Sequence, residues 1–172
     1  MILFIPMGYV DKEIIENLKQ PLATIFGEKV VVGETIELPP ESRDRRRRQY
    51  LASRLLELIP LPKPGDRALA IVDVDIFASG LNFVFGETDI VGRRAVISLQ
   101  RLRQEFYGLP RDEKLFRERT LKEAVHELGH TYGLGHCPNP GCVMHFSNSL
   151  YDTDWKGWNF CSICHKKLKL PN

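Results

Sequence analysis

Neither histidine nor cysteine occurs in the first 125 residues of this 172-residue chain. No apolar run approaches the roughly 20 residues that a membrane-crossing helix needs, so a membrane role is not expected. The opening segment, 1–8, is apolar but short. It lacks the basic lead-in and small-residue cleavage site of a secretory leader, so the expected setting is cytoplasmic. Excess charge of one sign is missing too. There are 24 Lys+Arg against 22 Asp+Glu, a formal net charge of +2. That balance does not by itself point to nucleic acid. No internal repeat or low-complexity segment is present. With 43% hydrophobic and 27% charged residues, the composition is that of an ordinary globular chain, and the length fits one compact domain.

What is present is concentrated at one end. Five histidines and four cysteines all fall within residues 126–165. Histidine and cysteine are the main zinc ligands, so the pattern predicts one metal-handling region on a metal-free scaffold.

The scaffold reads as alternating strands and helices. Strands are expected at 1–7, 29–38, 68–76, 82–85 and 94–99. Helices are expected at 11–25, with Pro21 as a kink or end, at 42–59 with Ser42 as N-cap, and at 112–132. Such alternation favours an α/β fold with a mostly parallel sheet, because parallel neighbours need crossover helices. The close spacing of 83–85 and 96–97 predicts one antiparallel edge strand.

His126-Glu127-Leu128-Gly129-His130 matches H-E-x-x-H. Residues four apart lie on one helix face, so both imidazoles can reach one metal. Glu127, turned by about 100°, can reach a water on that metal without joining the ligands. Gly133 and His136 extend the match to H-E-x-x-H-x-x-G-x-x-H. The extension lowers the chance of an accidental match from about one such chain in a hundred to about two in a hundred thousand. Gly133 can end the helix in the left-handed region and return His136 to the metal. Three neutral imidazoles leave one tetrahedral position open, as in catalytic zinc. Glu127 is the candidate general base and acid.

Cys137, Cys142, Cys161 and Cys164 form two close pairs separated by a long loop. This is the spacing of a closed four-thiolate zinc site. Two disulfides are an alternative, disfavoured in a reducing compartment. Haem attachment at Cys161-x-x-Cys164-His165 would leave Cys137 and Cys142 unexplained.

The run from His126 to His136 resembles the zinc signature of the metzincin metallopeptidases. Val143-Met144-His145 is then the counterpart of their methionine turn, with Met144 beneath the metal. Adding a cysteine directly after the third histidine, Cys142-Val143-Met144 and Cys161-x-x-Cys164, the segment 123–164 is similar to the archaemetzincin family. Residues 82–86 and 95–103 look family-like as well. The resemblance implies a single metzincin-like domain over 1–172 of α+β character. Its upper part, 1–133, would carry the active-site helix at about 112–132. Its lower part, 134–172, would be an irregular subdomain held by the cysteine site. It also implies two Zn²⁺ per chain, one catalytic on His126, His130 and His136, one structural on the four cysteines. Peptide bonds would be hydrolysed by a zinc-bound water activated by Glu127. Members are archaeal and eukaryotic and usually intracellular. Some relatives carry a tyrosine two residues after the turn methionine, where this chain has Phe146. Oxyanion help beyond zinc would then fall to Tyr151, His145 or backbone amides. In the resembling fold an edge strand above the zinc helix pairs with the peptide, and Asn82, Phe83, Val84 and Phe85 are the candidates for it.

Two other functions are carried as alternatives. One is a zinc-stabilised peptide-binding module without turnover. The other is a nucleic-acid-binding zinc ribbon using Lys166, Lys167 and Lys169. The first is disfavoured, since a pure binding domain has no need of Glu127 between two ligands. The second would show as steeply salt-dependent binding to oligonucleotides, and nucleic acid is not the expected partner. The expected partner is a peptide or protein, with a monomer as the default. The basic run Arg43, Arg45, Arg46, Arg47, Arg48 reads as a solvated helix face. Asp73 and Asp75 read as strand-end residues capping nearby backbone. Trp155, Trp158 and Phe160 are expected to pack the tail over the active-site helix.

Overall fold

The computed structural model describes residues 1–168. Lys169 lies outside the described residues. The chain runs through β1 (Ile2–Met7), α1 (Lys12–Phe26), β2 (Val30–Val32), β3 (Arg43–Asp44), β4 (Gln49–Leu51) and α2 (Ala52–Leu58). It continues through β5 (Arg67–Val72), β6 (Ile76–Phe77), β7 (Gly86–Asp89), β8 (Arg94–Ser98), α3 (Glu113–Thr131), α4 (Leu150–Trp155) and α5 (Ser162–Lys167).

The main sheet has the order β2-β1-β5-β8-β7. β7 alone is antiparallel, paired with β8 from Gly86↔Ile97 to Asp89↔Arg94. The other pairings are parallel, so the expected mixed α/β sheet with one antiparallel edge is the one observed. Its central strands alternate between two cores, as strands covered on both faces must. Ile2, Phe4, Leu69, Ile71 and Ile97 face α1 and α3, against Leu18, Leu22, Phe26, Val125 and Leu128. Ile5, Met7, Ala70, Val72 and Val96 face α2, against Leu55, Leu56 and Ile59. Each large aliphatic side chain fully removed from water contributes about 1.5–3 kcal/mol. α1 and α3 both start at aspartate caps. Asp11 accepts from the amide of Glu13, and Asp112 from that of Leu115, each at 2.9 Å.

Several boundaries differ from expectation. α1 runs through Pro21 without ending, because its buried stripe Ile15, Leu18, Leu22, Phe26 continues across it. The expected strand 29–38 shortens to Val30–Val32, with one further bridge from Met7 to Ile36. The strand expected at 68–76 is divided into β5 and β6. The expected helix 42–59 is a correction of kind. Ser42 ends a short 3-10 turn, residues 43–51 form the β3–β4 hairpin, and only Ala52–Leu58 is helical. β4 finds a parallel partner in β6, a pairing across 26 residues that helical periodicity does not register. Residues 82–85 are not a strand; the antiparallel edge begins at Gly86.

Candidate active site

α3 passes beneath β7 and carries three site residues in its last two turns. His126 and Glu127 are buried and His130 is half-buried. The helix then stops abruptly. Gly133 has φ of 87°. Its amide bonds the carbonyl of His130 at 2.9 Å, and that of Leu134 bonds Gly129 at 3.2 Å. This paired closure around a left-handed glycine satisfies the last helical carbonyls and turns the chain back. It delivers His136 to His126 and His130, with ring centroids 5.4 and 4.9 Å away.

The histidine hydrogen bonds fix what the cluster can hold. Nδ1 of His126 lies 2.7 Å from the carbonyl of Val143, and Nδ1 of His130 lies 2.7 Å from that of Leu134. A carbonyl oxygen only accepts, so each Nδ1 donates and each Nε2 is a bare lone pair. Those two Nε2 atoms are 3.1 Å apart. Two acceptors at that separation repel unless a cation lies between them. Zinc–nitrogen bonds of about 2.0–2.1 Å in a tetrahedron set nitrogens about 3.3–3.4 Å apart. Burial comes first in holding all three imidazoles below their ordinary pKa of 6.5. The charge of Lys156 adds to this. The rings therefore stay neutral, as ligands must.

Met144 is fully buried beneath this cluster. A Cβ on Gly129 would meet its sulfur at 2.5 Å, so the glycine between the two helical histidines admits the methionine. The turn 142–145 closes with the His145 amide on the Cys142 carbonyl at 2.9 Å. Phe146 packs on the His136 ring at a centroid distance of 4.9 Å.

Glu127 projects on the cleft side. Burial raises its pKa from 4.5 to about 8, opposed by a hydrogen bond from Thr88. Thr88 Oγ1 donates to Oε2 at 2.6 Å. Gly86, two residues earlier on the same strand face, approaches so closely that a Cβ would stand 2.6 Å from Cγ of Glu127. The cleft, about 200 Å³, is lined above by Asn82, Phe83, Val84 and Phe85, below by Phe146 and Asn148, and at its floor by His126 and Glu127.

The four cysteine sulfurs lie within 4.8 Å of one another. Cys137 and Cys161 are 3.8 Å apart, far beyond a disulfide bond of about 2.05 Å. Zinc–sulfur bonds of about 2.3 Å in a tetrahedron set the sulfurs about 3.8 Å apart. The Cys164 amide helps lower the Cys161 thiol to about 7, while burial raises Cys142 and Cys164. Both donor sets thus fit zinc.

Some important residues gave no signal in the sequence. Thr88 was missed because the edge strand was expected four residues too early. Lys156 is fully buried in an aperiodic tail. Its Nζ lies 3.2 Å from Glu123 and 3.3 Å from the His145 carbonyl. Arg119 grips Asp154 with two bonds of 2.7 Å. Other expectations are corrected. Asp73 and Asp75 do not cap backbone; they form two-pronged ion pairs with Arg103 and Arg101. Phe160 lies over the active-site helix as expected, so close that a Cβ on Gly129 would stand 3.3 Å from its ring, and it also packs edge-on to Phe26 of α1. Trp155 and Trp158 are exposed, since the charged contacts of Arg119 and Lys156 tie down the tail instead. Tyr151, also exposed, stacks on Trp155.

Fold and site together place the chain in the class of metallopeptidases. Residues 63–170 match Peptidase family M54. The archaemetzincin of Pyrococcus furiosus is 44% identical over 177 residues, covering 98% of this chain and 92% of its own. That of Methanocaldococcus jannaschii is 45% identical over 164 residues, covering 95% and 90%. Among solved structures, the Archaeoglobus fulgidus archaemetzincin complexed with malonate superposes with a TM-score of 0.86 at 40% identity, covering 97% of this chain and 99% of that one. A zinc-dependent peptidase from Methanocorpusculum labreanum gives 0.85 at 27% identity, covering 98% and 100%. The chain belongs to peptidase family M54, the archaemetzincins. Among the described residues, no helix is long and apolar enough to cross a membrane.

Proposed function

We propose that this chain hydrolyses peptide bonds at a catalytic zinc held by His126, His130 and His136, with Glu127 as general base and acid. The reading is carried by one observation: two unprotonated Nε2 atoms 3.1 Å apart beside a buried glutamate that Thr88 holds toward the cleft. Zinc, when bound, supplies a Lewis acid for the scissile carbonyl and lowers the pKa of a water to about 7. Glu127, its pKa raised by burial, would be favoured in its ionised form by the metal's charge, and the carboxylate would then take a proton from the water and deliver it to the leaving amine. Thr88 keeps the carboxylate in one rotamer through both transfers. The lip 82–85 accepts the substrate as an extended strand, through main-chain hydrogen bonds.

A second zinc on Cys137, Cys142, Cys161 and Cys164 is structural in this reading. It ties the lower wall, described over residues 134–168, to the upper part, 1–133, within one domain, with Met144 as the floor between them. Two zincs per chain are expected. Every proposed ligand comes from a single chain, so a monomer suffices. Thiolates that must stay reduced suit a cytoplasmic setting. Glu127→Ala is expected to retain its zinc and to lose about 10²–10⁴-fold in peptide hydrolysis. Hydrolysis at the parent rate would overturn the mechanism.

A further inference from the structure

The basic run 43–48 has no part in the chemistry above, and its placement gives it one. It is the tip of the β3–β4 hairpin, and all six residues are exposed. Asp44 is the only carboxylate between residues 42 and 50. Its Oδ1 is engaged by the amides of Arg46 and Arg47, each at 2.9 Å. Arg47 anchors the tip. Its Nη2 donates to the carbonyls of Leu81 at 2.7 Å and Asn82 at 3.3 Å, and its guanidinium covers the Phe77 ring at 4.0 Å. Buried Gln49 adds a 2.9 Å bond to the Asn82 carbonyl. Leu81 and Asn82 are the outer end of the cleft's upper lip. Gly86, at the inner end, touches Glu127.

We infer that this hairpin selects substrates with acidic side chains at one end of the cleft, through Arg45, Arg46 and Arg48. The inference rests on the peptidase reading above. Asn82 and Gly86 are four residue steps apart, at most about 14 Å of extended chain. A substrate lying extended along the lip covers that distance in four or five residues. The arginines therefore meet a side chain about four or five positions from the scissile bond, on one side only. A peptide suits this cleft better than a nucleic acid. Inward of Asn82 the lip presents Phe83, Val84 and Phe85 and no further basic side chain, so a backbone charged at every unit would find partners only at the outer end, while a peptide can carry its acids there alone.

The test uses the zinc-loaded full chain and a neutral peptide in which a single Glu or Lys is moved through five positions on each side of the cleavage site. Glu at the selected position is expected to exceed Lys by about three- to tenfold in kcat/KM, and the gap to close at about 0.5 M salt. Arg45→Glu/Arg46→Glu, with unchanged melting temperature and zinc content, is expected to invert the ranking. Binding of the same labelled peptides to Glu127→Ala, read by fluorescence anisotropy, repeats the comparison without turnover. Equal cleavage of all peptides overturns the inference and leaves the peptidase reading intact. Absence of all cleavage counts against the peptidase reading, while the binding arm still decides charge selection. Tighter binding of a single-stranded oligonucleotide than of the acidic peptide, lost in the double variant, overturns the inference in favour of nucleic acid.

Discussion

Glu127 is surrounded by protein, and a carboxylate there pays heavily for its charge. The Thr88 hydroxyl is what partly offsets that penalty, and it also fixes the rotamer. Replacing Thr88 with the isosteric valine removes a hydrogen bond to a charged group, worth about 1.5–3 kcal/mol. Thr88→Val is therefore expected to lower kcat by about 10- to 100-fold with KM and zinc content unchanged. Thr88→Ser is expected to restore most of the loss. A loss of melting temperature that matched the loss of activity would show a packing role instead. Gly86 belongs to the same arrangement, because any side chain there would occupy the space of the Glu127 carboxyl. Neither residue was legible in the sequence. His126, His130, His136 and Glu127 were, because their relation is set by helix geometry and one glycine turn.

At the scale of the element, β7 shows what an edge strand over the helix carrying His126 and Glu127 must do. Thr88 and Gly86 face Glu127. Glu87 points to the other side of the sheet, where Oε2 is buried without a hydrogen-bond partner. Burial raises the Glu87 pKa above 4.5. The folded chain then holds this proton more tightly than the unfolded chain, so stability falls as pH rises through the folded value. Glu87→Gln is expected to melt about 2 °C or more above the parent at pH about 8. That difference should vanish well below pH 4.5, where both states are protonated. An equal gain at both pH values would show that charge is not the cause. The strand was expected at 82–85 because Gly86 looked like a breaker. It is instead the first paired residue, and its missing side chain is what lets the helix approach. The helix expected over 42–59 failed for a related reason. Its apolar spacing is real in Leu55, Leu56 and Ile59, but the preceding residues are claimed by the pairing of β4 with β6.

For the whole molecule, the tail 134–168 folds against α3 through ionic contacts and thiols as well as through an apolar set, Leu134, Val143, Met144, Phe160 and Leu168, that joins Val125 and Leu128 in the core. Arg119 with Asp154, and Lys156 with Glu123, join tail to helix. The cysteine cluster closes the arrangement. Zinc analysis of the native protein is expected to give two equivalents. Cys161→Ser is expected to retain the histidine-held zinc only, and its tail to become protease-sensitive. A native value of one would remove one of the two metal assignments.

The sequence by itself determined which residues make up the histidine and cysteine clusters and the alternation of the sheet. Those features depend on spacings within one helix, one turn or one strand, and local spacing survives in a linear pattern. The tertiary structure decided which strand edge faces the helix, which hydroxyl steadies the glutamate, which lysine is buried beneath the histidines, and where the arginine hairpin docks. Each of these is a contact between segments some 30 residues or more apart. Their partners are chosen by packing, and packing leaves no period in the chain.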